Sequence, residues 1–113
     1  MSDDQAREDA ALGEELQRHY LSTANDKLAR VEAAIAALRN NPGAVDDASL
    51  TLHTLAGNAG TYGFPEISEE AAGISKRLRA ENRASPELLG ALEKFREHLE
   101  AEFARARARL SAR

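Results

Sequence analysis

Apolar residues recur along this chain at intervals of three and four, the spacing of one face of a helix. Leu21, Ala24, Leu28, Val31, Ile35 and Leu38 form one such stripe and predict a helix from about Glu14 to Asn40. Glu14, Arg18, Lys27, Arg30 and Glu32 fall off the stripe and are expected in solvent. Asn40-Asn41-Pro42-Gly43 reads as a stop and turn. A second stripe, Val45, Ala48, Leu52, Leu55, Ala59 and Tyr62, predicts a helix from about Ala44 to Tyr62. Gly63 is placed as its C-terminal glycine, where a left-handed backbone meets no side-chain clash.

Pro65 suits the first turn of the next helix, expected to about Asn82 with Ile67, Ala71, Ile74 and Leu78 inward. Ser85-Pro86-Glu87 is a start signal, combining a capping hydroxyl, a first-turn proline and an acid favoured by the helix dipole. The stripe that follows is Leu88, Leu92, Phe95, Leu99, Phe103, Ala106 and Leu110. Upstream, Ser2-x-x-Gln5 resembles a capping box, so a short helix is expected from about Asp3 to Leu12, ended by Gly13. A frayed tail is the other reading of residues 1–13.

Four long helices with one apolar stripe each and short turns predict an all-α fold. The expected architecture is an antiparallel up-down-up-down four-helix bundle over residues 14–113, with residues 1–13 as an N-terminal segment or short extra helix. No run alternates in the manner of a strand.

Composition narrows the function classes. The net charge of -4 argues against nucleic-acid binding, which needs a basic surface. The absence of cysteine removes disulfides, thiol nucleophiles and Cys-based zinc sites. No stretch approaches the ~18 apolar residues of a membrane span. The acidic start MSDDQARED does not read as a signal peptide, so a cytoplasmic protein is expected.

The most informative residue is His53. On a helical wheel it lies away from the core stripe of its helix, with Ser49, Ala56, Gly57 and Gly60 nearby. Glycine within a helix costs up to ~1 kcal/mol relative to alanine. Gly57 and Gly60 therefore weaken the helix without improving its core. One reading is a surface histidine beside flexible glycines. The other is an imidazole cleared for close approach of another body. A phosphoryl acceptor needs an exposed, unprotonated ring nitrogen that phosphorus can reach in line. A free imidazole is largely neutral at physiological pH and serves as a nucleophile without a dedicated base.

The run Leu52-His53-Thr54-Leu55-Ala56-Gly57-Asn58-Ala59-Gly60-Thr61-Tyr62-Gly63-Phe64 resembles the signature of histidine-containing phosphotransfer (HPt) domains. His53, Leu55, Gly57, Ala59, Tyr62 and Gly63 match the pattern H-x-L-K-G-x-[SA]-x-x-[LFY]-G, and the resemblance covers about residues 14 to 110. It implies a phosphocarrier without kinase activity of its own. Such a carrier takes a phosphoryl group from an aspartate of a receiver domain and passes it to another receiver. The implied partners are response-regulator receivers and a hybrid or other sensor histidine kinase. His53 is then the phosphorylated residue, through Nε2. Gly57 and Gly60 give access, and Ser49, Leu50 and Ala56 border the docking surface. No cofactor is implied.

One position departs from the pattern: Ala56 stands where the family often has lysine. A lysine there would offset developing negative charge. Lys27, Arg30, Lys76 and Arg77 are the candidate substitutes. The departure also leaves room for an alternative, a docking module of the same fold that binds a receiver or kinase without transferring. A bundle with no signalling role is a third reading.

The remaining signals are weaker. Gly57-x-x-Gly60 lacks the Lys-Ser/Thr of a phosphate loop. His19 and His98 are expected on the surface, and no His-x-x-x-His or Glu-x-x-His pattern suggests a metal. Glu66, Glu69 and Glu70 favour the start of their helix. Tyr20, Phe95 and Phe103 are expected in the core. Exposed Leu50 is expected to supply apolar docking area. A monomer is expected.

Overall fold

The computed structural model describes residues 3–112. Five helices follow in order: α1 (Asp3–Leu21), α2 (Ala24–Asn40), α3 (Val45–Thr61), α4 (Pro65–Glu81) and α5 (Pro86–Ser111). No strand occurs among the described residues. Helices α2 to α5 close a ring in which each packs on its chain neighbours and α5 returns to α2. Turns of three or four residues join them, so successive helices run antiparallel. At one end the α2–α3 and α4–α5 turns are tied together by the Ala84 N–H, which donates to the Pro42 carbonyl at 2.8 Å.

The stripes point inward as their spacing requires. Every predicted inward position of α4 and α5 is buried, and Phe95 and Phe103 are the largest fully buried side chains. The start of α5 is capped by Ser85, whose Oγ accepts from the Leu88 N–H at 3.1 Å. The end of α3 closes as a Schellman turn. Phe64 N–H donates to Ala59 O at 2.8 Å, and Gly63, with φ +91°, bends back toward Gly60 O. A Cβ at residue 63 would lie 2.6 Å from Gln17 Nε2, the end of a flexible side chain of α1 that can turn aside, so it is the positive φ that calls for glycine here.

The N-terminal region differs from expectation. Helix α1 passes through Gly13 without interruption, and the break falls at Ser22 and Thr23. Gly13 is exposed with no atom within 4 Å of where its Cβ would be, so it costs propensity only. At the true break, Ser22 Oγ and Thr23 Oγ1 donate to the carbonyls of His19 and Tyr20. These hydroxyls satisfy carbonyls that a continuing helix would use. The Ser2-x-x-Gln5 pattern lies partly outside the described residues, because Ser2 does.

The last residues of α1 dock on α5 through an aromatic cluster. Tyr20 stacks on Tyr62 with centroids 4.7 Å apart, and Phe103 meets Tyr20 and Phe64 edge-on. Burial pushes the Tyr20 hydroxyl up to about 12, with Tyr62 adding to the effect. That hydroxyl has no hydrogen-bond partner among the described residues. Among the described residues, no helix is long and apolar enough to cross a membrane.

Candidate functional site

Helix α3 lies between α2 and α4, and His53 stands at mid-length on its outer ridge, exposed. The two flanks of this ridge are different. On the α4 flank the helices approach closely through small side chains. Ser49 and Ser75 are buried and exchange hydrogen bonds: Ser75 Oγ donates to Ser49 O at 3.0 Å, and the two hydroxyl oxygens are 3.0 Å apart. Further along, Ser68 Oγ donates to the Ala56 carbonyl at 2.6 Å.

Ser49 and Ala56 therefore correct the expectation of an open surface around His53. Ser49 is 2% exposed and Ala56 is 9% exposed, because α4 covers this edge of α3. A wheel centred on the large apolar residues misplaced that edge, since the α3–α4 contact is made by Ser and Ala. Gly60 is exposed, yet a Cβ there would meet Ser68 Oγ at 3.2 Å. Its lack of a side chain serves the close approach of α4. Gly57 alone opens freely, with nothing within 4 Å of a would-be Cβ.

On the other flank, α2 and α3 border a groove of about 390 Å³ whose walls include Lys27, Arg30, Leu50, Thr54 and Asn58. Leu50 is 58% exposed, an uncommon setting for a large apolar side chain in this molecule. It gives the surface beside His53 an apolar contact point next to two cations.

The candidate positive charges separate on inspection. Arg77 pairs with Glu81 at 3.3 Å and with Glu87 at 3.5 Å. Lys27 lies over the Tyr20 ring, 4.1 Å from its centroid, and burial lowers its pKa. Another cation on the His53 side of α4 is one that sequence reasoning passed over. Arg79 Nε donates to Ser49 Oγ at 2.7 Å, and Ser49 lies one turn before His53 on the same face. Arg79 shares the α3-facing flank of α4 with Ser68 and Ser75, at spacings of eleven and four. That spacing was the available signal, but it acquires meaning only once α4 is known to pack on the His53 helix by this flank.

His19 is exposed, as expected. His98 is not a plain surface residue: its Nδ1 lies 2.6 Å from Glu70 Oε2.

No curated protein and no solved structure matches the chain. The model of the Hpt domain family matches residues 15–109, from the second half of α1 to the last turns of α5. Members of this family carry phosphoryl groups on histidine in two-component phosphorelays and are carriers rather than kinases. With that match over most of its length and a helical bundle to accompany it, this chain belongs to the Hpt domain family.

Proposed function

We propose that His53 is the phosphorylated residue, taking a phosphoryl group from a receiver-domain aspartate and passing it to another receiver. The observation that carries this reading is the setting of His53. It is exposed at mid-helix, beside the open Gly57, and Ser49, one turn before it, accepts a hydrogen bond from Arg79. In the transfer, the imidazole Nε2 lone pair forms a bond to phosphorus as the acyl-phosphate P–O bond breaks. The aspartate leaves as a carboxylate, and Nδ1 keeps its proton. Little else is asked of the protein than positioning and charge.

In this proposal Arg79 supplies the charge that a lysine at residue 56 would otherwise bring. Ser49 and Ala56 support the α3–α4 seam, Gly57 and Gly60 keep the approach clear, Leu50 contacts the receiver, and Gly63 ends the helix. The carrier works as a cytoplasmic monomer. The test is incubation with a phosphorylated receiver followed by mass mapping; the modification is expected on His53, and a modification elsewhere overturns the assignment.

Two substitutions probe the surroundings. Arg79→Ala is expected to slow transfer by about tenfold to a hundredfold, the scale of losing one charged donor at a developing anion. Arg77→Ala, which breaks only the pairs with Glu81 and Glu87, is expected to leave transfer unchanged. Equal rates for the two variants would remove Arg79 from the site.

Gly57→Phe is expected to keep or slightly raise the melting temperature, since the position is unobstructed and glycine is the poorer helix former. Transfer should nevertheless fall by about tenfold to a hundredfold, because the receiver is held away from His53. Undiminished transfer would place the docking surface elsewhere.

A second reading, receiver docking without transfer, is favoured by Ala56. It predicts receiver binding that survives His53→Ala, together with no modification in the mapping experiment.

A further inference from the structure

The two flanks of α4 have different chemistry. Ser68, Ser75 and Arg79 face α3, whereas Glu66 and Glu70, one turn apart, face His98 and Glu102, one turn apart on α5. His98 Nδ1 sits 2.6 Å from Glu70 Oε2. An ionised carboxylate only accepts, so Nδ1 carries the hydrogen and donates it. The Nε2 lone pair of the neutral ring is thereby turned toward two more carboxylates. It lies 3.5 Å from Glu102 Oε1 and 4.0 Å from Glu66 Oε2.

We propose that Glu66, His98 and Glu102 bind a divalent transition ion of the zinc class, bridging α4 and α5 on the flank of α4 turned away from α3. The donor atoms of these three residues all lie within 4.8 Å of one another. Ligand atoms about 2.0–2.1 Å from zinc in a tetrahedron are about 3.4 Å apart. The His98–Glu102 separation already matches that edge. The Glu66 side chain is 79% exposed and free to swing the remaining distance. Glu70 completes the arrangement from behind, as the carboxylate that fixes the tautomer and orientation of a metal-binding imidazole.

One imidazole with two carboxylates suits a borderline ion. Calcium and magnesium prefer oxygen alone. Two competitors act on the site. Arg105 shares the Glu102 oxygen. The carboxylates also raise the proton affinity of His98, chiefly through the Glu70 hydrogen bond. The inference is independent of phosphotransfer at His53.

The experiment is calorimetric titration of the full chain with zinc chloride, in mildly alkaline non-chelating buffer where protons compete least. One ion per chain is expected, with affinity weakened by about tenfold or more in His98→Gln and in Glu70→Gln. Glu66→Gln, at a largely exposed position, is expected to weaken binding without disturbing the fold. It keeps the test decisive where a His98 variant unfolds. Histidine ring resonances followed during the titration should move at His98 and not at His53 or His19. No binding, binding unchanged in Glu66→Gln and His98→Gln, or calcium binding of equal strength would overturn the proposal.

Discussion

Replacing His53 by glutamine is expected to abolish phosphoryl acceptance while leaving the fold intact. Glutamine keeps polarity and approximate length but offers an amide nitrogen, whose electron pair is delocalised and does not attack phosphorus. The position is exposed, and glutamine is at least as good a helix former as histidine. Stability should therefore change by no more than about 0.5 kcal/mol, as for surface substitutions generally. The measurement is transfer of radiolabelled phosphate from a receiver, with circular dichroism as the control for folding. The label on the parent protein should be acid-labile, as expected for phosphorus bound to imidazole nitrogen. His19 and His98 do not substitute for the missing ring. His19 lies on α1, outside the α3 ridge, and His98 is engaged by three glutamates on α4 and α5. Acid-labile label persisting on the glutamine variant would defeat the assignment of His53.

The parts of this molecule that were legible in the sequence are those set by local chemistry. The stripes of α3, α4 and α5 reappear as buried faces because a helix presents every third or fourth residue to one side. Gly63, Pro65 and Ser85-Pro86 mark helix ends because each meets a backbone requirement at its own position. What was not legible depends on which flank meets which neighbour. A glycine at residue 13 looks like a break, but in an exposed helix it costs too little to stop propagation. The break at Ser22 and Thr23 has weak residues for a signal, and it sits where the chain ends its docking of Tyr20 and Leu21.

The same limit applied to the candidate site. His53 and Gly57 stand out in the sequence because their signal lies within one helix. Ser49 and Ala56 read as open surface because small residues make a helix–helix seam without looking apolar. Arg79 and the Glu66–His98–Glu102 group are assembled from different helices. Ser75–Arg79 and His98–Glu102 are ordinary i, i+4 pairs until α4 is placed between α3 and α5.

Phe103→Ala is expected to destabilise the chain by about 3–5 kcal/mol, the usual cost of truncating a buried phenylalanine. Against a total of about 5–15 kcal/mol for a small domain, this removes a large share of the stability. Phe103 is 1% exposed and meets Phe64 at 5.5 Å and Tyr20 at 6.0 Å, both edge-on. It therefore joins three parts of the chain: the end of α1, the α3–α4 turn and α5. Phe95 is as deeply buried, in the part of α5 that lies within the four-helix ring. Phe95→Ala should cost an amount in the same range in urea unfolding, since both substitutions remove the same side-chain atoms from equally buried positions. The two should differ in hydrogen exchange. Without Phe103, the Tyr20 ring loses an edge contact, while its buried hydroxyl already lacks a partner among the described residues. The docked end of α1 should then exchange faster than α3, because its attachment has become the weakest in the molecule. Without Phe95, protection should fall across α2 to α5 together. Equal loss in α1 from both variants would mean that the aromatic cluster does not fasten α1, and that the Schellman turn and the Gln17–Arg109 hydrogen bond hold it instead.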